Sequence, residues 1–149
     1  MKIDSDFHLN RENYLYFSKI ATRWMDNDVY GHVNNVIYYS FFDTVANNFL
    51  MENGVIDFDK SPIVGLIVAS SCNYRSPVAH PSTIDAGFRV NRIGNTSVEY
   101  GCAIFPSGEK TAAAHGTYTH AFVDRDTHSP KPLSEELRAI FNSVLVSSE

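Results

Sequence analysis

The sequence predicts an α+β fold in which a curved five-stranded antiparallel sheet wraps around one long helix. Three observations carry that expectation. Residues 35–52 place apolar side chains at nearly every helical position. The segments after residue 62 switch to the two-residue alternation of strands or to long apolar runs. The turns at 94–95 and 106–109 are short enough to join only antiparallel neighbours.

The elements follow in order. Residues 17–25, FSKIATRWM, read as a short strand anchored by Phe17, Ile20 and Trp24. In 35–52, Ile37, Phe41, Val45 and Phe49 recur every fourth residue, and Tyr38, Phe42 and Leu50 widen the stripe almost all the way round. A helix apolar on nearly every side is a buried one. Asn34 is its expected N-cap, and Asn53-Gly54 its stop. Residues 63–78 form a long strand-like run closed by Pro77 and Pro81. In 84–92, Ile84, Ala86, Phe88 and Val90 alternate with Asp85, Gly87, Arg89 and Asn91, the pattern of a half-buried strand. Val98, Tyr100, Cys102 and Ile104 alternate again, and 111–123 supplies the last strand, with Tyr118 and Phe122. From Ser134 a short amphipathic helix begins with an acidic first turn.

At 149 residues this is a single domain, 1–149, with an N-terminal extension over about 1–16 and the short C-terminal helix and tail over 134–149. A hydrophobic content of 44% and a charged content of 19% belong to a globular chain. The net charge of −5, with no run of Lys or Arg, argues against nucleic acid and against an anionic membrane as partners. The first seventeen residues lack the apolar core of a secretory signal, and no apolar run approaches the roughly 18 residues of a membrane helix. Cys72 and Cys102 lie in apolar stretches without metal spacing and read as reduced core thiols of a cytoplasmic protein. One helix cannot cover both faces of a five-stranded sheet, so a homodimer or homotetramer is expected.

The chemistry concentrates in 23–35, RWMDNDVYGHVNN. Asp26, Asp28 and His32 could in principle be metal ligands, but no second acidic or histidine cluster follows, so no metal is expected. A second reading pairs Asp26 with Arg23 and makes Asp28 a turn-former. A third is catalytic. A carboxylate beside a helix start shares space with unpaired backbone N–H groups, which can stabilise an oxyanion while the carboxylate acts as nucleophile or base. No GxSxG nucleophile elbow is present.

RWMDNDVYGHVNNVIYYSFFD, followed in register by NYRSPVAHPSTI, VNRIGNTSVEYGCAIF and AHGTYTHAFVDRDTHSPKPLSEELR, resembles the acyl-CoA thioesterases of the 4-hydroxybenzoyl-CoA thioesterase-like family. The resemblance covers about residues 18–141. It implies the hot-dog fold, with the same sheet-around-helix architecture. It implies that Asp28 is the catalytic carboxylate and that backbone N–H groups at Asn35 or its neighbours polarise the thioester carbonyl. Gly31 would let the loop approach the substrate. His32 fits a GHVNN branch of the family and reads equally as an orienting group or as a loop histidine bonded to backbone.

The same resemblance implies an acyl-CoA substrate, with coenzyme A part of that substrate and no separate cofactor. Its phosphates are expected near Arg89, Arg92, Thr96 and Ser97, with Gly94 and Asn95 presenting backbone donors. Arg75 and Arg125 have a lesser claim. Tyr38, Phe42 and Ile67 could line an acyl seam or simply build the core. Two other functions stay open: a hydratase or dehydratase acting on acyl thioesters, and a non-catalytic acyl-CoA-binding module.

Overall fold

The computed structural model describes residues 7–54, 57 and 59–147; the outermost parts of the expected terminal segments, 1–6 and 148–149, lie outside the described residues. In chain order come β1 (Tyr16–Ala21), α1 (Ile37–Glu52), β2 (Ile63–Tyr74), β3 (Thr83–Ile93), β4 (Ser97–Pro106), β5 (Ala114–Asp124) and α2 (Glu135–Asn142). The strands form one sheet in the order β1-β3-β4-β5-β2, with every pairing antiparallel. This is the expected hot-dog architecture. Among the described residues no helix is long and apolar enough to cross a membrane.

α1 buries Tyr38, Phe41, Phe42, Val45, Ala46, Phe49 and Leu50 against the sheet. Its apolar belt is narrower than expected, because Ser40, Asp43 and Met51 face outward. Gly54, in the left-handed region at φ 68°, ends it as expected. At the C-terminus the Ser134 hydroxyl accepts the Leu137 N–H, and α2 sends Phe141 into the core beside Phe49, Tyr100 and Phe122.

Three local expectations change. β1 stops at Ala21, and Trp24 sits in a short 3-10 turn, 85% exposed rather than buried. The cause is Asp26, whose carboxylate takes the Arg23 N–H at 2.8 Å and turns the chain out of the sheet. α1 starts at Ile37, not at 35, and Asn34 is not its N-cap. Instead the Asn34 side chain accepts the Val36 N–H at 3.0 Å in the turn that leads in.

The third change concerns β3, which is buried continuously from Ile84 to Val90. The expected polar face carrying Asp85 and Arg89 is covered by the chain's own residues 7–15. Leu15 bonds the Phe88 carbonyl at 3.0 Å, Ala112 bonds that of Leu9 at 2.9 Å, and Tyr14 packs edge-on against Phe105. Burying Tyr14 and Phe105 there is worth on the order of 2 kcal/mol each. The N-terminal extension thereby covers part of the sheet face that the architecture left for another subunit. β2 is the opposite case: it pairs only with β5 and leaves Leu66, Ile67 and Val68 exposed at the sheet edge.

Candidate active site

The loop from Thr22 to Val36 joins β1 to α1 at the end of the sheet where β2 finishes. Val33 bonds the Val78 carbonyl at 2.7 Å, tying the loop to the segment after β2. Asn34 bonds the Asp26 carbonyl at 2.8 Å, closing the loop on itself.

Asp26 is 1% exposed and accepts three hydrogen bonds from Arg23: the backbone N–H at 2.8 Å, Nε at 3.1 Å and Nη2 at 2.8 Å. Burial pushes its pKa up, but the Arg23 bonds and charge outweigh it and hold the carboxyl below the ordinary value. Its bonding capacity is spent on structure. Asp28 is half-buried, and its Oδ1 takes the Tyr30 N–H at 2.9 Å. Its Oδ2 accepts nothing from the described residues. Gly31 holds φ 83°, where an L side chain is strained, and its N–H closes the turn on the Asp28 carbonyl at 3.0 Å. Open space surrounds the position an added Cβ would take, so backbone conformation alone demands glycine here.

The start of α1 leaves one donor over. Asn34 N–H goes to Asp26, Val36 N–H to the Asn34 side chain and Ile37 N–H to the Asn34 carbonyl at 2.9 Å. The Asn35 N–H has no acceptor among the described residues. In a planar trans peptide C=O and N–H oppose each other. Since the Asn34 carbonyl turns into the helix to meet Ile37, the Asn35 N–H must point away from it. That is the geometry of an oxyanion donor.

Two depressions adjoin across Asn34 and Asn35. A groove of about 800 Å³ holds Asp28 and Gly31 among the exposed side chains of Trp24, Met25, Val29 and Tyr30. A smaller one of about 280 Å³ holds His32 and Asn35 with Tyr38, Tyr74 and Arg75. The His32 ring makes no hydrogen bond within the described residues and is exposed. Among the described residues no group of three or more His, Cys, Asp or Glu is placed to hold a metal ion.

The residues expected for coenzyme A lie elsewhere. The β3–β4 hairpin sits at the opposite end of the sheet, beside the start of β2. β3 has 11 residues, so about 35 Å separates it from the Asp28 loop in one chain. Arg89 is corrected outright as a ligand contact. It is 2% exposed, bonds Asn91 at 2.8 Å and His8 at 2.6 Å, and is sandwiched by the rings of Phe7 and Tyr14. Arg89 pins the N-terminal extension to the sheet. Gly94 is corrected as a donor, since its N–H closes the hairpin on Ser97 at 2.7 Å. The carbonyls of Asn95 and Thr96 are occupied by Leu133 and Phe122. Arg92 is exposed and lies 3.9 Å from Glu99, with Ser97 half-buried nearby. Cys72 and Cys102 are free thiols whose pKa values burial pushes up, so neither is an activated nucleophile. Tyr74, unassigned from the sequence, belongs to the site. A tyrosine ending a strand beside the helix start was the available signal.

Residues 22–141 match a family model described as the Thioesterase-like superfamily. The crystal structure of the PA5185 protein from Pseudomonas aeruginosa superimposes with a TM-score of 0.91, at 47% identity, over 95% of this chain and 99% of that one. A DHNA-CoA thioesterase from Staphylococcus aureus, 18% identical, superimposes at 0.77 over 87% of this chain and 89% of its own, a likeness of fold. YsmA, an uncharacterized protein of Bacillus subtilis, is 21% identical over 96 residues, 64% of this chain and 65% of that protein's length.

Proposed function

Since the chain belongs to the Thioesterase-like superfamily, we propose that it hydrolyses an acyl-CoA thioester to the free acid and coenzyme A. The observation that carries this reading is the pairing, in one loop, of a carboxylate oxygen on Asp28 and a backbone donor on Asn35, neither with a partner among the described residues. The Asn35 N–H receives the thioester oxygen and stabilises the negative charge that develops there. Asp28 either attacks the carbonyl carbon, forming a mixed anhydride that water then hydrolyses to the acid and the free carboxylate, or takes a proton from the water that attacks the carbonyl itself. The C–S bond breaks and the electron pair leaves on sulfur. A thiolate is a weak enough base to depart without a strong general acid, so this small inventory suffices. Gly31 shapes the loop and His32 borders the smaller depression.

The active form we propose is a homodimer or homotetramer. Two β2 edges paired antiparallel would set one protomer's Ile63 end beside its partner's Tyr74 end. Arg92, Asn95, Thr96 and Ser97 of one chain would then approach the Asp28 loop of the other and meet the coenzyme A phosphates. In this reading the distance that separates them within one chain is the reason a second chain is needed.

The test is a panel of short, long and aromatic acyl-CoAs, with an enoyl-CoA among them, assayed for free thiol. Thiol release from at least one is expected. Loss of enoyl absorbance without thiol would assign a hydratase instead, and binding without either reaction would assign a binding module.

A further inference from the structure

Tyr74, the last residue of β2, donates its hydroxyl to the Asn35 carbonyl at 2.8 Å. Asn35 is the residue whose own N–H has no acceptor among the described residues. Four bonds hold the two peptide planes that flank it, one of them a long bond of 3.4 Å from the Tyr38 N–H to the same Asn35 carbonyl. Ile37 N–H, Tyr38 N–H and the Asn34 side chain act from within the same turn and would move with it. The Tyr74 bond comes from the sheet. With the Asn35–Val36 plane tied to β2 and the Asn34 carbonyl tied to Ile37, little rotation about Asn35 remains, and its N–H direction is set relative to the rest of the site.

The hydroxyl is itself well held. The Tyr38 ring stands perpendicular to that of Tyr74, 5.0 Å between centroids. Although Tyr74 is 46% exposed, partial desolvation first, then the neighbouring Cys72 thiol, moves its pKa above the ordinary tyrosine value, so the group is a donor throughout the working range. Tyr74 also walls the smaller depression with His32 and Asn35.

We propose that Tyr74 is a positioning residue, acting through Asn35 to aim that N–H at the thioester oxygen as it becomes negative. The inference rests on the thioesterase reading. Removing an oxyanion donor costs about 10²–10³ in kcat; loosening one costs less. Tyr74→Phe is therefore expected to lower kcat about tenfold with KM within about twofold of wild type.

A second readout is spectroscopic. In an Asp28→Asn background, the infrared carbonyl band of a bound thioester should move to lower frequency than in water, and adding Tyr74→Phe should take back part of that movement. A polyfluorinated tyrosine at 74, which keeps the ring but ionises at lower pH, should give kcat a new alkaline limb. A wild type that releases no thiol from any acyl-CoA removes the thioesterase reading and this inference with it. An active wild type matched by Tyr74→Phe in kcat and carbonyl band overturns the inference alone. So does a loss confined to KM, which would make Tyr74 a substrate contact.

Discussion

Asp26 and Asp28, two residues apart in one loop, have opposite surroundings: Asp26 is enclosed by three bonds from Arg23, while Asp28 offers an oxygen that nothing in the described chain occupies. The first should therefore govern stability and the second activity. Asp26→Asn is expected to cost about 2 kcal/mol in urea unfolding, the Arg23 side being well exposed and so partly screened. The sign with pH follows from its depressed pKa. Its contribution is present above the unfolded value of 3.8 and is lost as pH falls through the lower folded value. The wild type should lose that increment below about pH 4, and the variant should not.

His120 works the other way round. It is buried, bonded to Tyr100 at 2.8 Å, and burial lowers its pKa from 6.5 to about 4, with Asp43 only partly opposing. Between those values the unfolded chain binds a proton that the folded one refuses, so stability falls as pH drops from 6.5 to 4. The expected loss is on the order of 3 kcal/mol. Urea midpoints across that range should show it in the wild type, and His120→Gln should flatten the profile.

Gly116 pairs with Cys72 across β5 and β2, and a Cβ there would fall on the Ser71 backbone carbonyl. Backbone cannot yield as a side-chain tip does. Gly116→Ala should therefore cost more than about 4 kcal/mol, read as a collapse of the melting transition. A melting temperature equal to wild type would mean that β2 and β5 pair differently.

The β2 edge gives a prediction about assembly. Val68 is 61% exposed at its centre. If two such edges pair, Val68→Asp places two like charges near the junction and removes its apolar contact. Light scattering should then report a smaller species, and thiol release should fall with it. An unchanged mass would place the subunit contact elsewhere.

Much of this was legible in the sequence, for physical reasons that differ by element. The helix and the later strands announced themselves because periodicity reports which face is buried, as Val45 and Ile104 do. Arg89 misled because the covering segment, residues 7–15, has no period of its own, and a buried arginine alternates like an exposed one. Trp24 misled because a side-chain bond to Asp26, invisible to patterning, ended the strand. Within the candidate site, Asp28 and Asn35, whose roles remain the proposal, were expected from spacing and resemblance. Tyr74 was not, since its contact with Asn35 spans 39 residues.

The central claim is that Asp28 carries the hydrolysis of an acyl-CoA thioester. The most direct measurement is steady-state thiol release by wild type and Asp28→Asn, on whichever acyl-CoA the wild type turns over fastest. The account predicts at least about a hundredfold loss of kcat in the variant with its melting temperature unchanged. Equal rates from the two proteins would contradict it.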